Sequence, residues 1–476
     1  MSESDIPYRG ITELGRAYRT GETGPVAVTT LLLDRIDKLN PHLHAFIGIT
    51  RERALAGAKA AEAQLKGGLD LGPLHGIPYV AKDLFNVRGQ PTTAGTRLLE
   101  DNIATGDCTA VTRLDAAGMV LLGKTHIVQF ALGIIGVNHD QGTPHNPWHE
   151  TPHIPGGSSS GSAVAVSSGL APVALGSDTG GSVRAPAALC GVVGLKTTIG
   201  RISRHGIYPL SWSLDSPGTL ARTVEDAALV YHALRGPDPG DSATLGVALD
   251  DVLRGLNGGV RGLRIAFGGA PFFDDLDADV EAAVREAGKV FEAAGAQLGT
   301  VDIPEVAQIF GDSDFRSVVL GEAVAINREL LENHPDQLDP VVRDLLERGQ
   351  GMSAAMHAAG LHKLAALQAG IADTLRDVDA VIVPTTKQPA RPIEVVDASL
   401  DSYRAFYPAY MGNTMPGNYL DLPGVSLPCG FSSEGLPIGL QVMAKPFQEH
   451  MALRVAQAYE RETDWHTQRP ALNWVD

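Results

Sequence analysis

Residues 155–184 read PGGSSSGSAVAVSSGLAPVALGSDTGGSVR. Two Gly-Gly-Ser elements, Gly156-Gly157-Ser158 and Gly180-Gly181-Ser182, stand 24 residues apart in this stretch. Four readings compete for it. A Walker phosphate loop requires a glycine, four residues and then Gly-Lys-Ser/Thr, and no lysine occurs between 155 and 184. The nucleophile elbow of α/β-hydrolases, G-x-S-x-G, is matched by residues 157–161, but that elbow follows a buried strand. The residues leading into it, NPWHETPHIP, hold three prolines and do not read as one. A flexible Gly/Ser linker would neither run on into the apolar residues 163–166 nor repeat its Gly-Gly-Ser. The fourth reading is a serine hydrolase of a different type.

A serine hydroxyl is a weak nucleophile and needs a base. Consecutive glycines ahead of a serine let successive backbone N–H groups converge, the geometry of an oxyanion hole. Asp178-Thr179-Gly180-Gly181-Ser182 suits that geometry. Histidine is the usual base, but a lysine serves where burial lowers its pKa. Lys82, in HGIPYVAKDLFNVRG, ends the apolar run 77–81, where an ammonium would be desolvated. The competing reading of Lys82 is an ion pair with its neighbour Asp83.

Composition frames this chemistry. Of 476 residues 54 are glycine, with no G-X-Y period, against an average of about 7%. Apolar residues make up 44% and charged residues 20%, as in an ordinary globular protein. Acidic residues outnumber basic ones 55 to 38, for a net charge of −17. No basic run interrupts that balance, so nucleic acid is not expected as a partner. Cys108, Cys190 and Cys429 are far apart and form no CxxC, which argues against disulfides and a cysteine metal site. Cys190 reads as a small buried hydrophobe. The opening MSESDIPYRG lacks the apolar core of a signal peptide. No run approaches the roughly 18 apolar residues of a membrane span. A cytoplasmic protein with no membrane partner is expected.

Periodicity fills in the elements. Residues 1–70 read as helical: Val28, Leu32, Ile36 and Leu39 recur at three and four residues up to Pro41, which is expected to end that helix, and a second helix covers 51–65. From 72 to 223 short apolar runs, such as 119–122 and 191–195, read as buried strands between Gly/Ser-rich loops. Residues 224–234 are helical in pattern. The run 263–267, a helix with Val280, Val284, Ala287 and Phe291 on one face, and a strand near Val301 form a β-α-β unit, which favours parallel pairing. Residues 224–378 are mostly helical. In 379–476 a strand at 380–383 is stopped by Pro384, a hairpin turns at SSEG between 424–428 and 436–443, and a last helix covers 449–461. No linker or repeat divides the chain. The expected architecture is a single α/β domain with a mixed, largely parallel sheet covered by helices on both faces.

Some features carry no chemistry. His139, His145, His149 and His153 have suggestive spacing, but Pro144, Pro147 and Pro152 exclude the helix that would aim them at one metal. His75 reads as a packing residue. Residues 415–419 are candidates for a pocket lining.

The chain resembles the amidase signature family over residues 72–223, and again at 380–384 and 422–444. The matching pieces are GPLHGIPYVAKDLFNVRGQPTTAGT, GKTH, NPW, PGGSSSGSAVAVSSGLAPVALGSDTGGSVRAPAALCGVVGLKTT, and LPGVSLPCG followed by GLPIGLQVMA. The resemblance implies the amidase signature fold and a Ser–cis-Ser–Lys triad. By position the nucleophile is Ser182, the bridging serine Ser158, reached through a cis Gly157–Ser158 peptide, and the base Lys82. The oxyanion would be held by backbone N–H groups of Thr179, Gly180, Gly181 and Ser182. Asp178 and Arg184 fall on motif positions, as a buried ion pair holding the loop or, for Arg184, as a partner of a substrate carboxylate. Ser160 stands where relatives commonly carry glycine. No cofactor or metal is implied. The function implied is hydrolysis of a carboxamide, or of a urea or carbamoyl C–N bond, in a small molecule. The alternative is the glutamine-hydrolysing A subunit of a glutamyl-tRNA amidotransferase complex, whose members usually carry acidic-Phe-Ala-Met-Gly after GKT; this chain has Gln129-Phe130-Ala131-Leu132. A homodimer stays open. In the family, substrate choice rests on the loops corresponding to 134–138 and 203–214 and on the helices of 306–378.

Overall fold

A computed structural model describes residues 5–475. These residues form one eleven-stranded sheet. Its strands are β1 (Phe46–Ile49), β2 (Pro78–Lys82), β3 (Val120–Thr125), β4 (Val173–Asp178), β5 (Val193–Lys196), β6 (Ser216–Ala221), β7 (Arg264–Gly268), β8 (Gln297–Val301), β9 (Ala380–Pro384), β10 (Gly424–Phe431) and β11 (Pro437–Met443). Across the sheet the order is β1-β3-β2-β4-β6-β5-β10-β11-β9-β7-β8.

The sheet is mixed, but antiparallel pairings prevail, which corrects the expected largely parallel arrangement. Six of ten neighbouring pairs are antiparallel. Parallel pairing is confined to two blocks, β3-β2-β4 and β9-β7-β8, on either side of an antiparallel centre. The physical reason is burial. Strands β4, β5, β6 and β11 are buried at every position, because helices cover both faces. Apolar-polar alternation, which marks an antiparallel strand with one wet face, is therefore absent.

Several elements form for local reasons. Helix Pro25–Leu43 starts with proline at its first turn and buries Val28, Leu32, Ile36 and Leu39. Pro41 does not end it. A proline in the last turn forfeits one hydrogen bond, and the helix runs on to Leu43 before His44 turns left-handed and its N–H closes on the Asn40 carbonyl. Helix Ala278–Ala293 buries Val280, Val284, Ala287 and Phe291, and the strands it joins, β7 and β8, pair in parallel as expected. The β10–β11 hairpin turns at Gly435, with the Ser432 N–H on the Leu436 carbonyl, and carries a bulge between Pro428 and Gly430. Strand β9 divides the interior: Ala380 and Ile382 join the main core, whereas Val381 and Val383 face a second core under the helices of 304–374. No helix among the described residues is long and apolar enough to cross a membrane.

The segment after β5 is tied to the C-terminal region at Glu449, which opens helix Glu449–Glu462. Its buried carboxylate accepts from Arg201 Nε and from the Thr198 N–H, both at 2.8 Å. Breaking a buried pair strands the other charge, and Arg201 would keep the Ala248 and Phe447 carbonyls and one more distant carboxylate, Asp250 at 3.7 Å. Glu449→Ala is expected to cost about 3 kcal/mol, read as a lowered urea midpoint. An unchanged midpoint would mean that this helix is anchored elsewhere.

Candidate active site

Strands β2 and β4 lie side by side in parallel, Val80 opposite Ala174 and Ala81 opposite Leu175. Their C-terminal ends therefore open into the same space, where α/β sheets place their sites. Lys82 ends β2 and is fully buried. Its Nζ lies 2.8 Å from Ser158 Oγ and 2.9 Å from Ser177 Oγ. Burial pulls this amine down to about 7, although the carboxylates of Asp215 and Asp178 favour its charge. The alternative pairing with Asp83 does not form. Adjacent residues of an extended chain point to opposite sides, and Asp83 instead pairs with Lys124 and accepts from the Thr93 N–H.

Ser158 follows a cis Gly157–Ser158 peptide, just ahead of helix Ser160–Ser167. The Ser159 N–H donates to the Ser182 carbonyl at 3.2 Å, which draws the segments of Ser158 and Ser182 together. Among the described residues no hydrogen bond joins the Ser158 and Ser182 hydroxyls.

The loop after β4 is organised by Asp178 and Arg184, both without solvent contact. The Asp178 carboxylate accepts from the N–H groups of Gly181 (2.8 Å) and Val183 (3.0 Å), from Arg184 Nε and Nη2, and from Asn418 Nδ2. Burial alone would raise its pKa; the Arg184 guanidinium overrides this and holds it well below the usual carboxylate range. Arg184 also donates to Gln441 Oε1 and Asn418 Oδ1. Every contact of Arg184 is thus inside the protein, the arrangement of the ion-pair alternative. Gly181 has φ +129, and a Cβ there would lie 2.0 Å from Thr414 Oγ1, so only glycine fits.

The loop floors a cavity of about 440 Å³, lined there by Thr179, Gly180 and Ser182. The amides of these three residues donate to nothing among the described residues. That of Gly181 is committed to Asp178. Ile134, Met411, Met415 and Tyr419 wall the cavity, which bears out the pocket position of 415–419. The Thr179 hydroxyl donates to Asp215 at 2.6 Å.

Sequence reasoning missed Ser177 and Asp215, and it singled out the segments of Asn418 (415–419) and Gln441 (GLPIGLQVMA) without their role in bracing Arg184. Ser177 lies inside the quoted stretch, but nothing in the spacing separates it from Ser159 or Ser162. Asp215 sits in no local pattern, and the contacts of Asn418 and Gln441 with Arg184 span 234 and 257 positions, beyond the reach of any local pattern. The histidines go their separate ways. His139 is clasped between Asp339 and Asp397, whose hydrogen bonds raise its pKa to about 10, while His149 rests on His153. His75 is buried, between the Leu71 N–H and Gln64.

Comparison with known proteins agrees with this geometry. The family model Amidase matches residues 27–453. The A subunit of the glutamyl-tRNA(Gln) amidotransferase of Chloroflexus aggregans is 36% identical, covering 98% of this chain and 99% of that protein. Native peptide amidase from Stenotrophomonas maltophilia superposes with a TM-score of 0.85 at 31% identity, covering 98% of this chain and 100% of that one. The 6-aminohexanoate cyclic dimer hydrolase superposes with a TM-score of 0.86 at 28% identity, over 98% and 99%. With its sheet, its cis peptide and its buried lysine set beside these relatives, the chain belongs to the amidase signature family, whose members are hydrolases of amide C–N bonds.

Proposed function

We propose that this protein is a free-standing amidohydrolase of small molecules, acting through an acyl-enzyme on Ser182. The observation that carries the reading is the lining of the cavity. It is dominated by apolar side chains and, among the described residues, contains no carboxylate. Glutamine would bring an α-ammonium that such a lining leaves unpaired, and burying an unpaired charge is costly.

The chemistry starts from neutral Lys82. With its amine held near 7, a large fraction is unprotonated at neutral pH. It takes the proton of Ser158, across the 2.8 Å contact, as Ser158 takes that of Ser182. Ser182 Oγ attacks the amide carbonyl. The hydrogen bond between the two hydroxyls closes in the substrate complex, where catalytic contacts commonly tighten. The oxyanion is held by the amides of Thr179, Gly180 and Ser182 rather than by all four expected, because that of Gly181 is occupied. The relay then runs in reverse, protonates the leaving nitrogen and breaks the C–N bond. Water, activated by the same relay, releases the acid.

The second reading, the glutamine-hydrolysing component of a tRNA amidotransferase, is favoured by the near full-length likeness to proteins of that name. The two part on substrate. If the purified chain hydrolyses simple amides on its own, the first stands. Activity on glutamine alone, and only with a partner, overturns it.

Ser182→Ala is expected to lower kcat by about 10⁴-fold or more, with Lys82→Ala nearly as damaging, since relay members act as a unit. A fluorophosphonate should label Ser182, and labelling of Ser159 or Ser160 would reassign the nucleophile. Because Lys82 must be neutral to act, kcat/KM should rise with pH up to about 7 and then level off. An inflection near the ordinary lysine value would remove Lys82 from the role of base.

A further inference from the structure

We propose that the mouth of the cavity over Ser182 is a subsite for an anion, so that the preferred substrates are amides bearing a carboxylate beyond an apolar spacer. This rests on the amidohydrolase reading and specifies its substrate class. The only charged side chains lining the cavity, among the described residues, are Arg316 and Arg348. They stand on two helices, Ser313–Asn333 and Pro340–Gln350. Each shares a helical face with apolar lining residues: Val319 and Leu320 follow Arg316 by three and four positions, and Leu345 precedes Arg348 by three, with Met352 lining the cavity just past the end of that helix. The guanidiniums thus rim an apolar wall.

One of the two charges is uncompensated. Arg316 is exposed, and no hydrogen bond or ion pair engages its guanidinium among the described residues. Arg348 lies 3.1 Å from Asp344, which Arg404 also holds while pairing with Asp401, so two cations and two anions balance there and Arg316 supplies the excess positive charge. On a chain of net charge −17, a site entrance with excess positive charge is a local reversal of sign. Such a reversal attracts and orients anions, and a guanidinium fork fits a carboxylate. The volume of about 440 Å³ suits a ligand of medium size between entrance and serine. Glutamine fits this arrangement badly. Its ammonium sits beside its carboxylate and would meet the same positive field.

The test uses the full chain with Ser182→Ala, so that binding is read without turnover. Suberamate and octanamide share a primary amide and a chain of eight carbons, and differ in the terminal carboxylate. Calorimetry should find suberamate bound about five- to tenfold more tightly, the order expected of two partly exposed ion pairs, with the preference narrowing as salt is added. Adding R316Q and R348Q should bring the ratio of affinities to about one. A merely structural role for the arginines would weaken both ligands and leave the ratio standing, and that result overturns the proposal. So does equal binding of the two amides before mutation. Failure of the wild-type chain to hydrolyse either amide would instead count against the amidohydrolase reading, leaving the binding ratio to judge the subsite.

Discussion

A carboxylate and a guanidinium without solvent contact, those of Asp178 and Arg184, hold the site together. Neither charge is tolerable alone at that depth, since a buried ion left without its partner is strongly destabilising. Together they fill their hydrogen-bonding capacity with groups from several parts of the chain. The carboxylate takes main-chain N–H groups of the loop after β4, which fixes its path. The guanidinium reaches Asn418 and Gln441, which fixes the loop against helix Met415–Tyr419 and β11. Thr414 adds a bond to the Gly180 carbonyl. The turn that presents Ser182 is thereby rigid on all sides while its own hydroxyl is left open to the cavity.

The partners of a buried lysine decide whether it suits the role of a base. Lys82, Lys124 and Lys196 are all buried, and burial lowers the pKa of each. Lys124 has Asp83 as an ion-pair partner. Lys196 donates to the Thr197 and Leu422 carbonyls, with Asp421 at 3.9 Å. Lys82 meets the Ser158 and Ser177 hydroxyls at short range and the Ser177 carbonyl only at 3.4 Å, with no carboxylate in ion-pair contact among the described residues. A carboxylate stabilises the ammonium and a carbonyl can only accept from it, but a hydroxyl can yield a proton to the neutral amine. The same desolvation yields a strut in two places and a titrating group in the third.

How much of this was legible in the sequence follows from the range of each interaction. Helix Val224–Leu234, helix Glu449–Glu462 and the hairpin at Gly435 declare themselves within a few residues, by period or by turn chemistry. The proposed triad positions are legible because the glycines that shape the loops and the serines they present are adjacent. Strand β6 was not, since Ser216–Ala221 contains Pro217 and Gly218, residues that read as a turn. The antiparallel centre was hidden because strands buried on both faces lose the alternation that would betray them. Asp215, Asn418 and Gln441 were hidden for another reason: their roles exist only once the sheet has brought remote segments together.

The reach of Arg184 to Asn418 and Gln441 has a consequence during synthesis. The residues proposed for catalysis leave the ribosome well before the groups that brace their loop, which follow Arg184 by 234 and 257 positions. Strand β5 likewise waits for β10 as its neighbour. A nascent chain with every residue of the triad in place is thus still without a rigid nucleophile loop. On the proposed mechanism, an activated serine waits for those later segments rather than forming as soon as its own residues are made.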